Sequence, residues 1–163
     1  MASPTSLRDE RAFASVTAEP LSLDELTRFV ADPGAGAIST FTGVTRDNFG
    51  GKKVLKLDYE AYEPMAVKEM MRLCKEAMAK FDLIKVAVSH RVGEVGVGEP
   101  SVVIAASSAH RRPSLEACHW FIDNLKAVVP IWKREFYDDG QVWKENASTD
   151  LQKSTQRQLV REL

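Results

Sequence analysis

Three segments of this chain carry apolar residues every three or four positions, and runs of β-branched residues lie between them. The spacing is that of one buried helix face, and it predicts helices from Ser22 to about Pro33, from Met65 to Phe81 and from about Ser114 to Val129. Strands are predicted for the β-branched runs. This order of elements indicates a single α+β domain, in which about three helices pack on a mostly antiparallel sheet.

The predicted strands are bounded by glycine, proline and other turn residues. They cover Phe13 to Thr17, Ala37 to Val44, Val54 to Tyr62, Ile84 to Val92, Ser101 to Ser107 and a hairpin of Ile131 to Tyr137 with Val142 to Lys144. Between two of these strands lie Gly93, Gly96 and Gly98. A phosphate-binding loop leads from a strand into a helix, whereas this segment joins two strands, so a tight connection is favoured over a nucleotide site.

Both ends of the chain are polar and lack periodicity. Residues 1–12 and 147–163 are therefore expected to be flexible tails around a domain of residues 13–146. No apolar run approaches the ~20 residues of a membrane-spanning helix, and the first residues lack the apolar stretch of a secretory signal, so we expect a cytosolic protein without membrane contact. The formal net charge of −1, from 22 basic and 23 acidic residues, argues against nucleic-acid binding.

The two cysteines, Cys74 and Cys118, are too far apart for a CxxC site and too few for a disulfide framework. Cys118 shares the apolar stripe of its helix with Ile122 and Leu125. Both thiols are therefore expected to be reduced and to pack in the core rather than to react. The sequence also lacks the HExxH and GxSxG motifs of common hydrolases. No metal and no cofactor is expected.

A basic segment precedes the third predicted helix. Ser107 to Ser114 places His110, Arg111 and Arg112 at a strand end, immediately before the helix. Helix N-termini expose amides and arginine forks match phosphate oxygens, so the segment could hold an anion, but a solvated turn explains it equally well. Arg46, in the loop after the Ala37 to Val44 strand, is a further candidate for anion binding.

Two lysines lie near the end of the third helix and in the strand that follows it. Lys126 is at the edge of the buried helix stripe, and Lys133 shares one face of its strand with Glu135. Lysines near apolar and cationic surroundings can have a lowered pKa and act as a base or an amine nucleophile. For either lysine taken alone, a snorkelling surface cation is the favoured interpretation.

Six short sequence blocks, taken together, favour a functional role for these lysines over that of surface cations. They are Phe41 to Arg46 (FTGVTR), Tyr59 to Tyr62 (YEAY), His90 to Glu94 (HRVGE), Ser108 to Arg111 (SAHR), Asn124 to Lys126 (NLK) and Pro130 to Glu135 (PIWKRE). In this order and at these spacings they resemble the catalytic large subunit of molybdopterin synthase. The resemblance covers about Gly36 to Glu145, and the SAHR and WKRE blocks are its most specific parts.

The resemblance implies an activity and two partners. Members of this family convert cyclic pyranopterin monophosphate to the dithiolene molybdopterin, with sulfur from the thiocarboxylated C-terminus of a small ubiquitin-like subunit. It implies a homodimer of large subunits at the centre of a heterotetramer. A non-catalytic α+β module that binds a phosphorylated small molecule or a peptide tail is the alternative from a different functional class.

The resemblance also implies roles for particular residues. Lys126 and Lys133 correspond to the catalytic lysines and also contact the substrate. The rest of the substrate pocket corresponds to Thr45 with Arg46, His110 with Arg111, and Arg134 with Glu135. No role is carried over to Arg112, to either cysteine or to the tails.

The helix between the two basic regions sets a distance problem. Arg111 precedes the helix and Lys126 lies well inside it, which separates them by roughly 15–20 Å along a straight helix. One small pterin cannot touch both ends. We therefore expect a site shared between two copies of the chain, consistent with the implied dimer.

Overall fold

The computed structural model describes residues 5–146, which form three helices and ten strands. The elements are β1 (Thr5–Arg8), β2 (Ala12–Thr17), α1 (Leu23–Val30), β3 (Ala37–Val44), β4 (Asn48–Phe49), β5 (Lys52–Ala61), α2 (Glu63–Phe81), β6 (Lys85–Arg91), β7 (Gly93–Gly96), β8 (Pro100–Ser108), α3 (Arg111–Val128), β9 (Ile131–Tyr137) and β10 (Val142–Asn146). Every strand pairing is antiparallel except the ladder between β2 and β6 and a single bridge. The α+β class and the mostly antiparallel sheet are confirmed.

The first sheet has the strand order β1-β2-β6-β8-β3 and is covered by helices on both faces. Helices α2 and α3 pack on one face around Met70, Phe121 and Ile104, and α1 packs on the other against Ala87 and Val103. The neighbours Val103 and Ile104 thus point into different layers and are both buried. A continuous apolar run in β8 is what a strand covered on both faces requires.

The second sheet has the order β10-β9-β5-β4, with β7 also paired to β5. The long strand β5 organises it: β4 pairs with its first residues, β7 with Lys56–Tyr59, and β9 runs along its other edge. Pro130 separates α3 from β9, so the last turn of the helix leads directly into this sheet. The end of α3 therefore lies where the two sheets meet.

Helix boundaries follow local capping chemistry. The hydroxyl of Ser22 accepts a hydrogen bond from the Glu25 amide at 3.2 Å, as the sequence predicts for the start of α1. Helix α3 begins three residues before the predicted start at Ser114. The reason is that Ser108 Oγ accepts the Ser114 amide at 3.1 Å, while Pro113 fits a first helical turn.

The structure corrects one expectation about irregular segments and adds detail to another. Residues 1–12 are predicted to be a flexible tail, but Thr5–Arg8 pair with β2 as an edge strand. An edge strand with one neighbour and three exposed residues carries no apolar alternation to reveal it. The glycine-rich segment does join two strands, and it also contributes β7 to the second sheet. The predicted tail at 147–163 lies outside the described residues.

Of the helices within residues 5–146, none has the length and apolar character that crossing a bilayer requires. The cytosolic location stays a prediction.

Candidate active site

A cleft lies between the two sheets and the C-terminal half of α3. The first sheet contributes Phe41 and His90, the second contributes Leu57 and Tyr59, and α3 contributes Leu125 among other side chains. Its walls are thus largely apolar, and the charged groups that line it are Arg46, Lys126, Lys133 and Glu135. Such walls exclude water and strengthen the interaction of any charge within the cleft.

Lys126 and Lys133 both line this cleft. Lys126 is in the last turn of α3, which ends at Val128, and the amide of the C-cap residue Val129 donates to Leu125 O at 3.1 Å. Because Pro130 turns the chain at once into β9, Lys133 returns to the same cleft. The two predicted catalytic lysines are therefore brought together.

Glu135 lies two residues after Lys133 on β9 and forms an ion pair with it. Its side chain is buried, and its Oε1 lies 3.5 Å from Lys133 Nζ. Its Oε2 accepts a hydrogen bond from the Tyr137 hydroxyl at 2.5 Å. Both carboxylate oxygens thus have a partner, which is what a buried carboxylate needs in order to stay in place.

Arg46 lines the cleft, whereas its neighbour Thr45 does not. Thr45 is 3% exposed, and its hydroxyl has no hydrogen-bond partner among the described residues. Its amide donates to Glu99 O at 3.2 Å, and its carbonyl accepts from Gly98 N at 2.8 Å. Gly98 has a φ of +80°, which favours glycine. The glycine-rich segment therefore fixes the backbone from which Arg46 reaches the cleft.

His110 and Arg111 lie away from the cleft. Together with Arg112 they line an open surface at the N-terminus of α3, where Arg112 forms a 2.8 Å ion pair with Glu116. Fifteen residues of helix separate Arg111 from Lys126, a rise of about 22 Å. Within one chain, this junction is not part of the cleft.

Arg134 and Glu135 are also separated, because neighbouring side chains of a strand point to opposite faces. Arg134 lies on the outer face of β9, where its guanidinium forms ion pairs with Asp58 at 3.0 Å and Glu60 at 3.2 Å. Arg134 is therefore outside the cleft of its own chain. The period-2 alternation of the sequence is the signal that distinguishes it from Glu135.

Tyr59 and His90 belong to the YEAY and HRVGE blocks, but the sequence pattern assigns these residues no role. His90 is 5% exposed on β6 and lies edge-on to the Tyr59 ring, with 5.0 Å between ring centroids. Burial lowers its pKa to about 4, so the imidazole is neutral at pH 7. The available signal was their place in two of the blocks that carry the family resemblance.

Cys74 and Cys118 are free and buried, as predicted. Burial raises the pKa of the Cys118 thiol to about 11 and that of Cys74 further above its usual range. Neither thiol lines the cleft. Within residues 5–146, no three His, Cys, Asp or Glu side chains are grouped so that they could hold a metal ion.

The cleft thus combines two lysines and an arginine with apolar walls and one buried carboxylate. Such a site can hold an anion, stabilise developing negative charge and transfer protons.

Comparison with known proteins gives these features a family context. The family model described as MoaE protein matches residues 16–128. The molybdopterin synthase catalytic subunit of Homo sapiens is 53% identical over 130 residues, which are 80% of this chain and 69% of the human protein. That of Arabidopsis thaliana is 56% identical over 73% of this chain and 60% of its own length. That of Dictyostelium discoideum is 44% identical over 87% of this chain and 92% of its own length.

Solved structures agree with the fold. A crystal structure of molybdopterin synthase from Staphylococcus aureus aligns with a TM-score of 0.76 at 33% identity, over 80% of this chain and 94% of that one. A complex of subunits 1 and 2 of the molybdopterin-converting factor from Helicobacter pylori aligns with a TM-score of 0.64 at 20% identity, over 79% and 87%, which supports the fold alone. From the match over residues 16–128 and the identity to these relatives, the chain belongs to the MoaE family.

Proposed function

We propose that this chain is the sulfur-transferring catalytic subunit of a molybdopterin synthase and acts in molybdenum cofactor biosynthesis. It takes sulfur from the thiocarboxylated C-terminus of a small ubiquitin-like subunit and adds it to cyclic pyranopterin monophosphate. Membership of the MoaE family and the names of its relatives support the activity. The observation that carries the proposal is the convergence of Lys126, Lys133 and Arg46 on one largely apolar cleft.

The cleft residues divide the chemistry between them. Opening a cyclic phosphate and adding sulfur to carbons of the pterin side chain builds anionic charge, which the Arg46 guanidinium stabilises. Lys126 and Lys133 supply proton transfer or a transient amine contact. Glu135 holds Lys133 in position through the 3.5 Å ion pair. All of these groups belong to one chain.

The small subunit reaches this site with its C-terminal tail. Val44 and Phe49 line the cleft and are 51% and 47% exposed, so the mouth of the cleft is apolar. A tail that ends in two glycines carries no side chains to obstruct entry and can place its thiocarboxylate beside the lysines. The tail therefore suits a mouth that exposes apolar side chains.

His110 and Arg111 join the site from a second copy of the chain. Strand β3 begins at Ala37, opposite Ser108 and next to the junction, and ends at Val44 beside the cleft. It is an edge of the first sheet, and its eight residues, AISTFTGV, include no charge. Antiparallel pairing of two such edges places the junction of one copy near the cleft of the other. The two copies form the centre of a heterotetramer.

The test is reconstitution. The purified chain, cyclic pyranopterin monophosphate and the thiocarboxylated small subunit are mixed, and the dithiolene product is measured. Product that requires all three components supports the proposal. Tight binding of the pterin without any product would instead identify a non-catalytic binding module.

A further inference from the structure

His90 is held in one tautomer by a hydrogen bond to the backbone. Its Nδ1 lies 2.8 Å from the carbonyl oxygen of Arg91. A carbonyl oxygen only accepts hydrogen bonds, so Nδ1 must carry the proton and donate it. In a neutral imidazole this leaves Nε2 as a bare acceptor. Burial holds the pKa at about 4 and keeps the ring neutral at physiological pH.

The ring is also fixed in orientation. His90 lies on a central strand of the first sheet, between the β2 and β8 ladders, and packs edge-on against Tyr59 from the second sheet. Nε2 makes no hydrogen bond to any residue in the described part of the chain, although His90 lines the cleft. An acceptor that the protein leaves unbonded at the surface of a binding cleft is suited to a ligand donor.

The charged groups of the cleft cannot take the place of this acceptor. Arg46, Lys126 and Lys133 only donate hydrogen bonds. Glu135 accepts, but it is engaged by Lys133 and Tyr137. The cationic groups suit the phosphate of an anionic ligand, whereas its N–H groups need an uncharged acceptor elsewhere.

We propose that His90 is a substrate-binding residue whose Nε2 accepts a hydrogen bond from an N–H group of the pterin ring. The inference rests on the proposed function, because it takes the pterin as the ligand of the cleft. This hydrogen bond orients the ligand: the phosphate faces Arg46 and the lysines, and a nitrogen-bearing edge of the ring faces β6. His90 contributes to binding and orientation and transfers no proton.

Two substitutions separate this role from a purely structural one. In His90→Asn the amide nitrogen can still donate to the Arg91 carbonyl from the place of Nδ1, but the acceptor at Nε2 is lost. In His90→Gln the longer side chain restores an acceptor near Nε2 and loses the bond to Arg91. His119→Asn is the matched control, because His119 is exposed on α3.

Calorimetric titration with cyclic pyranopterin monophosphate gives the first readout. We expect His90→Asn to keep its melting temperature and to bind the pterin roughly three- to tenfold more weakly, the worth of one hydrogen bond. In turnover assays the loss is expected in KM, with kcat changed less than twofold. His90→Gln is expected to melt earlier and to bind more tightly than His90→Asn. Unchanged pterin affinity in a folded His90→Asn variant would overturn the inference.

The unsubstituted chain provides a second readout that needs no variant to fold. Nitrogen-15 spectra of the three histidines, assigned with His110→Gln and His119→Asn, are expected to show His90 as the Nδ1–H tautomer. Added pterin should shift the Nε2 resonance of His90. An Nε2–H tautomer, or an Nε2 resonance that the pterin leaves unmoved, contradicts the inference.

The two proposals fail in different ways. If the reconstituted system makes no dithiolene, the proposed function is wrong, whatever His90 does in the binding experiments. If the dithiolene forms and His90→Asn binds the pterin like the unsubstituted chain, only the role of His90 is wrong.

Discussion

Two basic regions of this molecule use similar side chains in opposite settings. The cleft cluster is Arg46, Lys126 and Lys133, which lie between two sheets and α3. The junction cluster is His110, Arg111 and Arg112, which lie on an open surface at the other end of α3. The first has apolar walls and a buried counter-charge in Glu135, whereas the second is surrounded by solvent.

The comparison shows why residue type alone does not define a site. In the cleft a cation acts through a medium of low dielectric, where its effect on a nearby anion is several times that in water. At the junction the same charge is screened, and the ion pair of Arg112 with Glu116 reduces its free positive charge further. The junction cluster attracts an anion strongly only when another surface covers it and excludes water, as a second copy of the chain would.

Of the substitutions that test this comparison, loss of Lys126 is expected to reduce turnover most. Lys126→Ala should reduce turnover at least about a thousandfold, because the variant lacks the reacting amine or proton carrier. The fold should remain intact, since the lysine lies at the edge of the helix stripe. Turnover of purified, folded variant is the measurement, and near-normal turnover would refute the assignment. Lys133→Ala should be severely impaired, and Lys80→Ala, an exposed lysine on α2, is the control.

Subunit exchange tests whether the two clusters meet across a dimer. Lys126→Ala chains are mixed with His110→Ala/Arg111→Ala chains, at a pterin concentration at which neither variant alone gives product. Random pairing makes half of the dimers mixed, and each mixed dimer has one intact composite site, so about a quarter of the normal activity should return. Exchange is verified with differently tagged chains. Activity that stays at background after complete exchange would mean that each site is built within one chain.

The arginines distinguish the clusters by their effect on substrate capture. Arg46→Ala should raise KM for the pterin by roughly 10- to 100-fold, the worth of a charge-assisted hydrogen bond to phosphate. Arg111→Ala should raise KM less, and Arg112→Ala serves as a control within the junction, because Glu116 already engages that side chain. Steady-state kinetics at saturating small subunit provides the values. If all three variants keep the KM of the unsubstituted chain, the anion binds away from both clusters.

Much of this arrangement can be predicted from the sequence, because it follows from local periodicity. The three helices and strands such as β3 are predicted within a few residues, since burial on one face leaves a repeating pattern. The rise of the predicted helix is enough to separate Arg111 from Lys126. Strand β1 is missed because an exposed edge strand needs no alternation of apolar and polar residues. The role of His90 is missed because its neighbours in space come from strands that are distant in sequence.

The pH dependence of stability tests the burial that distinguishes the cleft. The pKa of His90 falls from 6.5 to about 4 on folding. Between these values the unfolded chain binds a proton that the folded chain excludes, so the free energy of unfolding decreases as the pH falls from 6.5 towards 4. Urea titrations of the unsubstituted chain and of His90→Asn, at pH 7 and pH 5, give the difference. The two chains, expected to be similarly stable at pH 7, should differ at pH 5, where the unsubstituted chain becomes the less stable of the two. An equal response of both chains to the lower pH would show that His90 titrates normally.

The smallest effect is expected midway along α3, between the two clusters. Cys118 lies there with its thiol 3.4 Å from the Ser39 carbonyl, and burial holds its pKa near 11, so little thiolate forms at pH 7. Cys118→Ser should therefore change turnover less than twofold per folded molecule, because the sulfur that reacts arrives on the small subunit. Cys74→Ser should behave in the same way. If a variant keeps its melting temperature but loses sulfur transfer, a cysteine of this chain carries sulfur during the reaction. The account in which sulfur arrives only on the small subunit would then be wrong.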